Sequence, residues 1–491
     1  MTRLPLIIGF GGIGPAGRSS AHHAYRRTVL DSLPAAQRDH TLRALAAMMG
    51  LVKFQDGAFK TQGGETLAEA DIAPRFRQHI LDHTLIRRLE PQYFEGDRMS
   101  VQVNLKMQPA DGKAVTFSTR ADDLPSPLPT GWTVHPQTDG SVTVEMHAPA
   151  EFRVESHRKI AVQSAGQLPT GFDPAALYAS RFHPRGLVMT IIAASDAVRS
   201  VGIPWHTLMH HLRPDEVSVY ASSAMAQLDQ HGTGGMLQAR LRGGRVSSKQ
   251  LPLGLNTMPA DFVNAYVLGS VGCTGAIAGA CASFLYNLRL AVEDIQSGRR
   301  RLVVVGNAEA PLVPEVIEGY HAMSALATDE QLCKLDGVSV PDYRRASRPF
   351  GENCGFVLGE SAQYFVLCDD ELALTLGADI HGAVPEVFVN ADGFKKSISS
   401  PGPGNYITLA KAVAAMRGMF GDRAVREQSF VQAHGSSTPQ NRVTESRIFD
   451  EVAKAFGIEH WPITAVKAYL GHSLAPASAD QMVSTLGVFA H

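Results

Sequence analysis

Several common protein classes are excluded by what this chain lacks. It has only five cysteines, an odd number, and no CxxC pair. That argues against a disulfide framework or a paired-cysteine zinc site and fits a reducing cytoplasm. The formal net charge is only −2, which excludes a general polyanion binder such as a DNA-coating protein. Met1 to Phe10 holds a short apolar run without an A-x-A-like cleavage site, so it reads as a first strand and not a signal peptide. The apolar stretch from Val271 to Leu288 is interrupted by Gly272, Gly275 and Gly279 and runs on into Glu293 and Asp294. A membrane helix needs about 20 consecutive apolar residues, so a buried strand followed by a helix is expected instead. What the chain does have is size: 491 residues, 44% of them hydrophobic, enough for a large core and more than one typical domain.

Cys281 stands where a small-residue run, Gly279-Ala280-Cys281-Ala282-Ser283, turns into an amphipathic pattern carried by Leu285, Leu288, Val292 and Ile295. A thiol at a helix N-terminus faces the positive end of the helix dipole and free N–H groups. Both are expected to lower its pKa and favour the thiolate. The plainer alternative is a small core residue in a tight corner. Two distant segments add to the chemical reading. Val431 to Pro439 and Ile463 to Leu474 each read as a short apolar strand ending in a glycine-containing loop with a histidine, His434 and His472, and the second also holds Lys467. In α/β sheets, sites gather at the carboxyl ends of strands.

These segments resemble the β-ketoacyl-acyl-carrier-protein synthases, the condensing enzymes of fatty-acid and polyketide synthesis. The resemblance rests on Ala280-Cys281-Ala282-Ser283, on His434-Gly435-Ser436-Ser437-Thr438-Pro439, and on Lys467 with Gly471-His472-Ser473. Met323 to Leu326, Arg348-Pro349-Phe350 and Gly355 to Glu360 fit between them in order. It covers residues 1–20 and 160–491. The Cys-His-His set is similar to the elongating type; the chain-starting and chalcone types carry Cys-His-Asn. A thiolase would need a second cysteine in the C-terminal half, and none follows Cys368. A cysteine protease would need neither Lys467 nor a second histidine. A polyketide-type synthase and a non-catalytic synthase subunit acting as a partner remain open.

The resemblance implies a thiolase-like fold, two similar α/β halves stacked in αβαβα layers. It implies that Cys281 carries the acyl group, that His434 and His472 donate to the oxygen of a malonyl thioester losing CO2, and that Lys467, paired with Glu445, holds the His434 side. Ser436 and Thr438 match hydroxyls that hold the pantetheine arm; ordinary loop hydrogen bonds are their alternative. Arg181 and Arg185 match positions near the carrier-docking surface. Arg299-Arg300-Arg301 is expected to cap the far end of the helix after Cys281, roughly 25 Å away at about 1.5 Å per residue. The implied partners are an acyl carrier protein, acyl or malonyl thioesters, acetyl-CoA and a second copy of the chain, with no nucleic acid or membrane. No metal or separate cofactor is expected, since the substrates bring phosphopantetheine.

The expected division is 1–19 with 159–379 as an N-terminal half, 20–158 as an inserted α+β segment, and 380–491 as an incomplete C-terminal half. Within the insertion, His40 to Leu51 has helical spacing and Val101–Met107, Val115–Ser118 and Val142–Met146 alternate as strands. Leu187 to Val201 predicts a helix, and Leu302 to Gly306 a buried parallel strand. The chain departs from the family in three places: Arg442 replaces an aspartate, Ala475-Pro476-Ala477-Ser478 replaces a glycine-rich run, and Gln481 replaces a glutamate. The family's closing strands and Gly-Phe-Gly-Gly loop have no counterpart before His491, so the chain is expected to be C-terminally truncated.

Overall fold

A computed structural model describes residues 3–178, 180, 182–394 and 402–491. The chain forms two compact units, Met1–Tyr93 with Ala161–His491, and Phe94–Ile160. In the larger unit the elements that position the site begin with β1 (Pro5–Gly14), α1 (Ala35–Met48) and α2 (Arg185–Ser200). They continue with β2 (Val217–Ser222), α3 (Thr233–Ala239), β3 (Thr274–Gly275), α4 (Ser283–Gln296), β4 (Leu302–Glu309), α5 (Pro314–Ala322), β5 (Ser361–Asp369) and β6 (Gly382–Ala383). The last of them are β7 (Val431–Gln432), α6 (Pro439–Phe456), β8 (Ile463–Thr464) and α7 (Ala477–Ala490).

A mixed sheet in the order β3-β2-β4-β5-β1-β6 forms the centre. The β3, β2 and β4 neighbours run parallel, whereas β5 lies antiparallel to both β4 and β1. Every residue of β4, Leu-Val-Val-Val-Gly-Asn-Ala-Glu, is buried. Strand alternation splits that run between two cores. Leu302 and Val304 pack with Met189, Ala193 and Ala197 of α2 on one face. Val303 and Val305 pack with Phe284, Leu288 and Ile295 of α4, and with Val483 of α7, on the other. Each buried valine is worth about 1.5–3 kcal/mol. Close packing of α2 on β1 requires glycine: a Cβ at Gly11 would lie 2.4 Å from the Ala197 nitrogen. The predicted parallel strand is therefore parallel to β2 on one side only.

The short strands β7 and β8 pair in parallel, Val431 with Ile463 and Gln432 with Thr464, so the loops carrying His434 and Lys467 leave the same edge. The predicted helix at 187–201 is α2, and that at 40–51 is α1, which starts earlier and stops at Met48. The basic run caps the end of α4 through its backbone, Arg300 N donating to the Asp294 carbonyl at 3.2 Å. Its guanidinium groups reach side chains: Arg299 to Asp294 at 2.8 Å, Arg300 to Ser218 at 2.7 Å and Arg301 to Asp369 at 2.8 Å.

The smaller unit is built from strands. Met99–Met107 and Ala150–Arg158 form a two-stranded antiparallel ribbon, and Val115–Arg120, Ser141–Met146 and Trp132–Pro136 form a three-stranded sheet. Val144 and Met146 are fully buried, beside Trp132 stacked on Phe152. The helices within the expected 20–158 segment, α1 and Glu69–Asp82, belong to the larger unit. No helix among the described residues is long and apolar enough to cross a membrane.

Candidate active site

Cys281 occupies a strained turn between β3 and α4. Residues Ala280–Ala282 form one 3-10 turn, and Ala280 sits in the left-handed region at φ 50°. Such a conformation costs on the order of 1–3 kcal/mol and persists only when its surroundings enforce it. Ser283 does so: its Oγ accepts from Gly279 N at 2.9 Å and donates to the Ala280 carbonyl at 2.7 Å. Asn287 accepts from Ile277 N at 2.9 Å and donates to Ser222 Oγ at 3.1 Å, tying the approach to the end of β2.

His434 follows β7, in a loop with Gly435 at φ 52° and Ser437 at φ 72°. Its peptide is gripped from both sides. The Glu445 carboxylate, from α6, accepts from His434 N at 2.5 Å and from Gly435 N at 2.8 Å. Lys467, 2% exposed, donates its Nζ to the His434 carbonyl at 2.6 Å. The expected direct pairing of Lys467 with Glu445 is thus replaced by a linkage through the His434 peptide, and among the described residues the two form no close ion pair. His472 is 2% exposed and its Nδ1 accepts from Leu474 N at 3.0 Å. With Nδ1 an acceptor, the proton of the neutral ring is on Nε2, so His472 presents a donor. The sulfur of Cys281 and a ring nitrogen of each of His434 and His472 all lie within 4.8 Å of one another. The two rings meet edge to face, 5.1 Å between centroids.

The electrostatics correct one expectation. Burial raises the Cys281 thiol above its ordinary value; the Lys467 charge opposes this and Glu309 adds to it. Desolvation is the largest of these effects. Burial also holds both imidazoles well below 6.5, helped by the Lys467 charge. Lys467 itself falls to about 8 through burial, against the attraction of Glu445. Sequence reasoning missed Glu309, a fully buried carboxyl at the end of β4 that burial pushes to about 7. It accepts from Ser223 Oγ at 2.6 Å and Ala224 N at 2.7 Å. An acid closing a strand that is apolar apart from Asn307 was the available signal.

A stability consequence follows from the histidines. Folded His434 and His472 stay neutral, while an unfolded histidine takes a proton as pH falls through 6.5. The unfolded chain then binds more protons, so stability is present above that value and is lost below it. The unfolding midpoint is expected to fall from pH 6.5 toward about pH 5. A double His434→Gln, His472→Gln variant should show a shallower slope; an unchanged slope would refute the assignment.

The remaining expected residues are less alike. Ser436 is buried and its Oγ lies 3.2 Å from Thr438 Oγ1. Thr438 caps α6, accepting from Asn441 N at 3.3 Å. Arg185 is not a free docking cation. Its guanidinium binds the fully buried Glu360 through two hydrogen bonds of 2.8 and 2.9 Å, and lies over the Tyr93 ring. Arg181 lies outside the described residues.

The pattern "Beta-ketoacyl synthase, N-terminal domain" matches residues 142–373, and its C-terminal counterpart matches residues 381–491. "Beta-ketoacyl-[acyl-carrier-protein] synthase FabY" of Pseudomonas aeruginosa is 59% identical over 489 residues, covering 100% of this chain and 77% of its own length. The chain belongs to the β-ketoacyl synthase family. The crystal structure of that FabY, a noncanonical ketosynthase, covers 100% of this synthase and 77% of its own chain with a TM-score of 0.98 at 59% identity. AntDE:AntF, a type II polyketide ketosynthase with its acyl-carrier protein, shares the fold alone: TM-score 0.57, 16% identity, over 99% of this chain and 86% of its own.

The synthase is thus a condensing acyltransferase with a thiolase-like fold. Its departures from the family pattern acquire physical roles. Gln481 donates to the Gln432 carbonyl at 2.8 Å, bracing β7 just before His434. Asp480 is buried and accepts from Ser361 Oγ at 2.7 Å, Gln363 Nε2 at 3.0 Å and Ser473 Oγ, anchoring the loop after His472. Arg442 donates to the Gly351 carbonyl at 2.7 Å.

Proposed function

We propose that this synthase joins an acyl group on Cys281 to malonyl carried on an acyl carrier protein, with loss of CO2, for fatty-acid synthesis. The convergence of Cys281 with two neutral imidazoles within 4.8 Å carries this reading. Cys281 Sγ attacks the acyl thioester carbon, the carrier thiol leaves with the proton, and an acyl-enzyme remains. The malonyl thioester then loses its carboxylate as CO2. The electron pair left behind forms an enolate, whose oxygen takes hydrogen bonds from His472 Nε2–H and from His434. The enolate carbon attacks the acyl carbon, and the Cys281 thiolate leaves and regains a proton. Lys467 and Glu445 hold the His434 peptide and so act as positioning residues. Ser436, together with Thr438, faces the pantetheine arm. No separate cofactor is needed, because phosphopantetheine arrives with the substrate. Incubating the protein with acetyl-CoA or acyl carrier and labelled malonyl carrier should yield labelled β-ketoacyl carrier; CO2 release without that product from intact protein would refute the reading.

An acidic carrier calls for a basic surface. Residues 240–249 are all exposed and include Arg240, Arg242, Arg245 and Lys249 without one acidic residue. This stretch follows α3, whose Gln238 is hydrogen-bonded to Glu315 of α5. The opposite end of α5 carries Tyr320, whose hydroxyl is pushed up by burial and by the nearby Cys281. A double Arg242→Glu, Arg245→Glu variant should lose roughly tenfold or more in kcat/KM for malonyl carrier and little for a pantetheine mimic. Equal losses on both would assign these arginines to structure. A second copy of the chain fits the free edge of the sheet at β3, where Val271 is 73% exposed; light scattering tests it. All five cysteines are free, which supports a reducing, cytoplasmic setting.

A further inference from the structure

A cavity of about 660 Å³ opens in the larger unit away from Cys281. That size suits a small ligand, for which pockets run about 300–1,000 Å³. Its lining includes Ile191 and Ile192 of α2. Helix α2 covers one face of the central sheet, and α4, which follows Cys281, covers the other. The sheet therefore stands between this cavity and the catalytic thiol.

One side of the cavity is apolar. Leu45 and Met48 from α1 oppose the two isoleucines, with Phe172 beside them. Tyr178 and Tyr266 also line the space, with four further ionisable side chains: Arg18, His23, Asp196 and Arg199. Asp196 is already committed, accepting from Gly12 N at 3.0 Å, Arg18 Nε at 2.6 Å and Ser20 Oγ at 2.9 Å. That also neutralises Arg18. His23 stays uncharged, since burial and then the Arg26 charge lower it to about 4. Arg199 is left as an exposed cation without an ion-pair partner among the described residues. The combination is an alkyl-lined space with one net positive charge.

We propose that this cavity binds a single-chain amphipathic anion, with the alkyl chain between α1 and α2 and the acidic head at Arg199. A free fatty acid, charged at its carboxylate, and an acyl-coenzyme A, charged at its phosphates, share that chemistry. The residues that line the cavity take no part in the condensation, so the inference stands apart from the proposed reaction.

Calorimetric titration tests it on the full chain after alkylation of Cys281, so that the catalytic thiol takes up no ligand. Dodecanoate, dodecanol and dodecanoyl-coenzyme A are the probes. Saturable binding of dodecanoate, or of dodecanoyl-coenzyme A alone, supports the site if Ile192→Trp, which fills the cavity, abolishes it. The first result identifies a free acid as the occupant and the second a thioester. Arg199→Glu should weaken either anion roughly tenfold or more, about 1.4 kcal/mol or more, and leave dodecanol nearly unchanged. Because Arg199 is exposed, that variant stays informative if Ile192→Trp fails to fold. Absence of binding by both anions, or binding that Arg199→Glu leaves unchanged, overturns the proposal.

Discussion

Cys281→Ala protein is expected to form no acyl-enzyme and no β-ketoacyl product, yet to keep releasing CO2 from malonyl carrier. The substitution removes the sulfur proposed to carry the acyl group. It leaves His472 Nε2–H and the His434 ring in place, because their positions come from Leu474 N, Glu445 and Lys467 and not from the thiol. Removing the half-buried thiol also removes a group whose charged form would draw on Lys467. Intact-protein mass after exposure to acyl carrier should show no adduct, while labelled malonyl carrier still yields CO2. An adduct elsewhere on the variant, or loss of CO2 release in a folded variant, would contradict the division of labour.

The converse is expected of the histidines. In His434→Ala, Cys281 should still become acylated, while decarboxylation falls by roughly a hundredfold or more, the scale for losing one oxyanion donor. His472→Ala should behave alike, since its ring is a neutral donor with no partner role toward the thiol in the first step. His472→Gln replaces one N–H donor with another and should recover part of the loss. If His434→Ala lost acylation and kept full decarboxylation, the roles would be reversed. Lys467 adds a pH signature. Its charge is present below about 8 and disappears above it. CO2 release by the Cys281→Ala protein should therefore decline as pH rises, at a pH below about 8, because the thiol that raises the Lys467 value is gone.

The proposed reacting groups were legible in the sequence because their setting is local. A cysteine at a strand-to-helix corner and histidines in loops after short apolar strands are visible within a dozen residues each. The parallel pairing of β7 with β8 then brings the loops of His434 and Lys467 together. The supporting groups were less legible. Glu360, 175 residues beyond Arg185, takes that arginine out of the docking surface. Nothing near either residue in the chain announces the pair. Glu309 was passed over for the same reason, since its partners at Ser223 and Ala224 lie on another strand's loop.

By itself, then, the sequence determined the buried character of β4, the helical faces of α2 and α4, and the identity of the chemical groups. Each depends on the order and spacing of neighbouring side chains. The tertiary structure alone decided the state of those groups. The Cys281 thiol lies above its ordinary pKa and Lys467 below its own because both are desolvated, and desolvation is set by what folds over a residue, not by what stands next to it. The same holds for the Lys467–His434–Glu445 linkage, in which the His434–Gly435 peptide group meets a cation at its carbonyl and a carboxylate at its N–H, from two separate elements.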